Sequence, residues 1–188
     1  MNQSSLVTQT QAATLEFALS PQQVLDADGM AKSALDKALR FCAQKMKLDD
    51  YHIAVLLLQQ QNDTAYGYFH YDLAAHIAGY LGTLDGEIKA VYLYDYDATP
   101  EDTCFGETAV SPLLHLIVWA QRKTVALNSL AEALDRALVQ NYAELIGAPQ
   151  LAHLLDVQAV DDADVKNRVG YGTLFSSLHY RPIQVWER

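Results

Sequence analysis

Leu113-Leu114-His115-Leu116-Ile117-Val118-Trp119-Ala120-Gln121 is the stretch whose reading decides the fold. A short, almost wholly apolar run set between Ser111-Pro112 and Arg122-Lys123 reads as a buried strand, the kind found inside a sheet covered on both sides. Elements of alternating type lie around it. Glu87 to Asp97 precedes it as a strand of period-two character, with Tyr92, Tyr94 and Tyr96 on one side and Val91 and Leu93 on the other. After it, Asn128 reads as the cap of a long helix to Ile146, closed by Gly147. Leu154 to Val160 is a further strand. Asp161 to Asp164 opens a helix extending to about Leu178, and Pro182 to Trp186 closes the chain as a short strand. The expectation is an α/β (mixed α+β) fold: a central mixed sheet holding the strands near Val91, Ile117 and Val157, with helix 128–146 packed on it.

The first half reads outward from the same sheet. Thr14 to Leu19 alternates Leu15, Phe17 and Leu19 as a short strand, and Ser20-Pro21, with Gln23 as capping-box partner, opens a helix. Its stripe is Met30, Ala34, Leu35, Ala38, Leu39, Cys42 and Met46, with Asp28-Gly29 as a point where it divides. Tyr51 to Gln61 fits a buried strand or a core helix, and is read as strand. Tyr66 to Tyr71 alternates aromatics as a strand, after which Asp72 caps a helix through Leu84. No repeat or linker divides the chain, so residues 1–188 are expected to form one domain, with 1–71 an N-terminal extension packed on a core of 72–188.

Composition narrows the function classes. The 188 residues are 51% apolar and carry a formal charge of −10, so the mean field repels a phosphate backbone, and no basic patch offsets it. Nucleic acid is not an expected partner. The apolar runs Ile53 to Leu58 and Leu113 to Ala120 fall far short of the roughly 18 to 20 residues that cross a bilayer. Met1 to Gln11 lacks the basic and apolar regions of a secretory signal, which points to the cytoplasm. Cys42 and Cys104 have no CxxC or histidine neighbour and read as free thiols.

The order helix, strand, acidic Gly-containing loop, strand, long helix, strand, helix, strand over residues 72–188 resembles the minimal nucleotidyltransferases of the DNA polymerase beta superfamily. That resemblance implies a Gly-Ser phosphate turn after the first strand, two alternating aspartates on the second and a third carboxylate on the next. Here Asp95-Tyr96 stands at the turn, Pro112 and Leu114, or in the other alignment Leu113 and His115, stand at the aspartate positions, and Asp156 alone matches. The family's reaction is a two-metal displacement in which carboxylates hold the cations. Asp95 in place of the glycine adds a side chain and a negative charge where backbone must approach phosphate. The resemblance therefore implies a non-catalytic nucleotidyltransferase-like domain that binds a protein partner or a small ligand such as a nucleotide, with no cofactor expected. The alternative is an active enzyme using Asp95, Asp97 and Asp156 in an altered site with magnesium. A structural homo-oligomer is the third class.

Other features have plainer readings beside the sharp one. Asp95, Asp97, Glu101, Asp102 and Glu107 offer oxygen ligands for a hard cation, yet they lack EF-hand spacing and read first as a solvated loop around Thr99-Pro100. The six histidines show no helical metal pair: His70 and His76 are assigned to different elements, and His115 and His153 to separate strands. Ser176-Ser177 lacks a hydrolase elbow, and Gly170-Tyr171-Gly172 reads as a kink inside a helix. Tyr92, Tyr94 and Tyr96, with His115, are the candidate ligand-binding residues. Both sides of their strand carry apolar groups and must be covered by helices of the same domain, by a second copy of the chain or by a ligand; core or interface packing is the plainer role of the tyrosines, and because this half offers few helices, a homodimer or a Tyr-lined pocket is the sharper reading.

Overall fold

Leu114–Ala120 forms β2, the second of four strands in one sheet of order β3-β2-β1-β4. The computed structural model describes residues 21–94, 112–147, 151–177 and 181–188. In chain order the elements are α1 (Pro21–Lys45), α2 (Tyr51–Gln59), α3 (Asp63–Leu84), β1 (Ile88–Leu93), β2, α4 (Val125–Ile146), β3 (Leu155–Val160), α5 (Asp162–Asn167), a 3-10 helix (Gly170–Ser176) and β4 (Ile183–Glu187). β1 runs antiparallel to both β2 and β4, while β2 and β3 are parallel, so the sheet is mixed. The strands around Val91, Ile117 and Val157 do share this sheet, and α4 packs against β3.

Residue alternation on β2 divides the chemistry. Leu114, Leu116, Val118 and Ala120 face the main core, on the side of α3, whereas His115, Ile117 and Trp119 face the other way. Helix α1 lies against α2, α3 and α4. One apolar cluster runs from Ala27 to Leu155 and includes the fully buried Leu35, Leu39, Phe69, Leu73, Ile77 and Leu81. Each such side chain stabilises the fold by about 1.5–3 kcal/mol through burial. Lys45 in the last turn of α1 complements that helix's negative end.

Several readings of the first half require correction. Thr14 to Leu19 and Ser20 lie outside the described residues, and α1 is one continuous helix through Asp28-Gly29. Tyr51 to Gln59 is a helix, not a strand. Asp50 caps it by accepting from His52 N at 2.9 Å, and only Ala54 and Leu58 on it are buried. Its apolar run is therefore mostly half-exposed, with Leu56 52% exposed, and needs no sheet to cover it. Tyr66 to Tyr71 likewise belongs to α3, which Asn62 caps by accepting from Ala65 N at 3.0 Å. The buried set Ala65, Tyr66, Phe69, Leu73, Ala74, Ile77, Ala78, Leu81 and Gly82 has the helical spacing of three and four. Asp72 is thus not a cap but sits within α3, 3.2 Å from His76, so His70 and His76 share one helix.

In the second half the corrections are smaller. Thr124, not Asn128, caps α4, accepting from Leu127 N at 3.1 Å, while Gly147 closes it in the left-handed conformation at φ 65°. The helix opened by Asp161 stops at Asn167 instead of reaching Leu178. Arg168 and Gly170 both take positive φ, 55° and 52°, which breaks the α-helix, and Gly170–Ser176 continues as a 3-10 turn. His153 lies before β3, not on it.

Candidate functional site

The register of β2 on β3 places His115 beside Asp156. Parallel pairing with matched pleat sends both side chains to the sheet face away from the helical core, and the next such pair is Ile117 with Gln158. His115 Nδ1 stands 3.0 Å from Asp156 Oδ2, and Gln158 Nε2 donates to Asp156 Oδ1 at 2.7 Å. Both oxygens of the carboxylate are thus engaged. The pair remains open to solvent, with side chains 26% and 34% exposed.

Tyr92 and Tyr94 share that outer face. Tyr92 meets Phe175 edge-on at 4.8 Å between ring centroids, Trp119 meets the same ring at 5.6 Å, and Tyr94 meets Tyr171 at 6.3 Å. The 3-10 helix thus supplies, from the same chain, part of the cover that the sequence assigned to a second copy or a ligand. Gly172 is what lets this 3-10 helix pack on α5, since a Cβ there would stand 2.5 Å from the Asp164 carbonyl oxygen. Burial beneath this cover, with Glu187 as a lesser influence, raises the Tyr92 hydroxyl above its ordinary pKa. The tyrosines are accordingly packing groups first.

Acidic residues at the other end of this face tie down α5. Asp162 accepts from Lys89 Nζ at 2.7 and 2.6 Å and from Trp119 Nε1 at 2.9 Å, and Lys123 Nζ pairs with Asp164 at 2.5 Å. These bonds hold both carboxyls below their ordinary range, the lysine hydrogen bond being the largest cause in each. Behind the sheet, Asp135 of α4 is 8% exposed and accepts from Leu154 N at 2.8 Å and Leu155 N at 2.9 Å, with His153 Nδ1 at 2.7 Å. It fixes where β3 begins and hence where Asp156 falls.

Of the residues named from sequence, the structure brings together His115 and Asp156. Asp95, Tyr96 and Asp97 lie outside the described residues, as do Glu101, Asp102, Cys104 and Glu107. Tyr94 N donates to the His115 carbonyl at 3.0 Å, so the chain leaves β1 at the sheet end that carries His115 and Asp156. Among the described residues no three His, Cys, Asp or Glu side chains group to hold a metal.

No protein-family model, curated protein or solved structure matches the chain. The residues themselves must therefore carry the reading. Sequence analysis missed Gln158, whose signal was its alternation with Asp156 on one strand, and Asp135, which nothing along a helix marks as a clamp for a distant strand. It also missed Phe175, hidden by the assignment of 161–178 to a single helix. No helix among the described residues is long and apolar enough to cross a membrane.

Proposed function

We propose that the chain is a nucleotidyltransferase-like domain without nucleotidyl-transfer chemistry, and that it works by binding a ligand or partner at the His115–Asp156 end of its sheet. The observation that carries this reading is the engagement of Asp156. The one residue matching a family carboxylate accepts from Gln158 and pairs with His115, which stands at an aspartate position in one alignment of the resemblance. In neither alignment does β2 carry an aspartate pair, so Asp156 has no partner carboxylates on that strand with which to hold two cations. The element order on which the resemblance rests supports it too: α3, β1, β2, α4, β3, α5 and β4 follow one another as that pattern requires.

What such a site offers is a row of hydrogen-bonding groups, imidazole, carboxylate and amide, beside aromatic rings. On a chain of net charge −10, that row favours a neutral or cationic group over a triphosphate. The test has two arms. Labelled nucleoside triphosphates, with magnesium or manganese and protein, antibiotic or nucleic-acid acceptors, should give no transfer above the protein-free rate. A thermal-shift screen of nucleosides and nucleotides, run with and without metal, should find any rise in midpoint unchanged by metal and lost in His115→Ala. Metal-dependent transfer that disappears in Asp156→Asn would establish the active enzyme instead.

A further inference from the structure

A second feature lies in the helical layers, built by α1 and α3 and independent of the sheet face. Phe41 and Lys45 of α1 and Thr64, Gly67, Tyr68 and Tyr71 of α3 line an open cleft of about 520 Å³. That volume falls within the range of small-molecule pockets, about 300–1,000 Å³. Its walls are aromatic. Phe41 meets Tyr68 edge-on at 6.5 Å and Tyr71 at a tilt of 31° and 6.4 Å, while Tyr68 and Tyr71 remain 37% and 45% exposed.

Two observations give the cleft a ligand class. The first is Lys45. In a chain with 23 acidic and 13 basic residues, its ammonium has the Phe41 ring, 5.1 Å away, as its partner among the described residues, and no carboxylate there pairs with it. A cation at the rim of an aromatic wall complements a planar group bearing one negative charge. The second is Gly67. It stands inside α3, where glycine costs about 1 kcal/mol against alanine. Neither a positive φ nor a close neighbour requires it, since a Cβ at 67 would meet nothing within 4 Å. Gly29 and Gly79 are as unconstrained, but Gly67 is the one that lines this cleft. Because Gly67 lines the cleft, a longer side chain there would take up part of its space.

We propose that the cleft between α1 and α3 is a binding site for a small aromatic carboxylate, its ring laid against Tyr71 and Phe41 and its carboxylate at Lys45. The site does not depend on the reading of the His115–Asp156 end, and its test touches none of those residues.

The experiment titrates the full-length, isotope-labelled chain with 2-naphthoate and follows backbone amide shifts. The neutral isostere 2-naphthylmethanol serves as the control for charge. Saturable shifts centred on Gly67, Tyr68 and Tyr71 are expected, with 2-naphthylmethanol binding more weakly. Lys45→Met keeps the stem and removes the charge, and should weaken naphthoate about fivefold while leaving the alcohol unchanged. Gly67→Leu should abolish both without loss of fold, because leucine favours helix and its Cβ meets open space. Equal binding of acid and alcohol, unaffected by Lys45→Met, would overturn the assigned chemistry. Undiminished binding in Gly67→Leu would overturn the site. Concentration-dependent self-association that Gly67→Leu removes would make the cleft a contact between copies, and overturn it as well.

Discussion

The indole of Trp186 lies flat on the Cα of Gly82, so close that a Cβ there would fall 2.6 Å from indole Cε2. This contact joins the last strand to α3, and Arg188 reinforces it by donating to the carbonyls of Gly82 at 2.6 Å and Gly86 at 2.7 Å at the end of that helix. Gly82→Ala should therefore destabilise the protein by roughly 1–3 kcal/mol, although alanine is the better helix former. Chemical denaturation checks it. Trp186→Leu in the same background should recover part of the loss, since neighbouring residues couple. A neutral or stabilising Gly82→Ala would show that the indole does not rest there.

Asp135 ties α4 to the start of β3 through two backbone N–H groups. Asp135→Ala leaves both donors without their acceptor and should cost roughly 2–4 kcal/mol. Asp135→Asn, which keeps one acceptor oxygen, should cost less. Hydrogen exchange at Leu154 and Leu155 should accelerate in the alanine variant before exchange in α1 changes.

Phe175 covers Tyr92 and Trp119 together. Phe175→Ala and Tyr92→Ala should each lose roughly 1–3 kcal/mol, below the range for fully buried aromatics, and the double variant should lose less than the sum. Sedimentation of the same variants should show an unchanged mass. A changed mass with little loss of stability would reassign the tyrosine face from internal packing to self-association.

The anchoring of α5 should depend on acid. Asp164 and Asp162 have folded-state pKa values held below the ordinary 3.8, chiefly by hydrogen bonds from Lys123 and Lys89. A depressed folded pKa means that the unfolded chain takes up the proton first. The contribution is present above 3.8 and lost as pH falls through the folded value. Unfolding midpoints measured from pH 6 downward should fall less steeply in Asp164→Asn than in the parent chain. Parallel acid limbs would exclude the pair as a source of acid sensitivity.

Cys42 is fully buried, its Sγ 3.4 Å from the Ala65 carbonyl oxygen, and burial raises its pKa above the ordinary thiol value. The thiolate is the reactive form, so iodoacetamide at neutral pH should leave Cys42 unmodified in the native protein and alkylate it once denaturant is added. Peptide mapping by mass spectrometry separates it from Cys104. Rapid native labelling at Cys42 would mean that α1 opens away from α3.

The strands of the sheet and the helices α1 and α4 could be read from residue order, whereas Tyr51 to Gln59 and Tyr66 to Tyr71 could not. Leu114 to Ala120 is buried on its core face and half-covered on the other, so its apolar run carries its own assignment, and Gly147 ends α4 through a conformation that glycine alone adopts readily. Tyr51 to Gln59 and Tyr66 to Tyr71 misled because short apolar or aromatic runs have no period of their own; the caps at Asp50 and Asn62 decide them. Sequence also singled out His115 and Asp156 separately, by residue type and by position in a resemblance. That they meet 3.0 Å apart depends on the parallel register of β2 on β3, whose start is held by a buried aspartate on α4 through two backbone amides 19 and 20 residues away. No local pattern encodes such a distance. Propensity and periodicity act within a few residues, whereas the register of a sheet is settled by what the whole chain must bury.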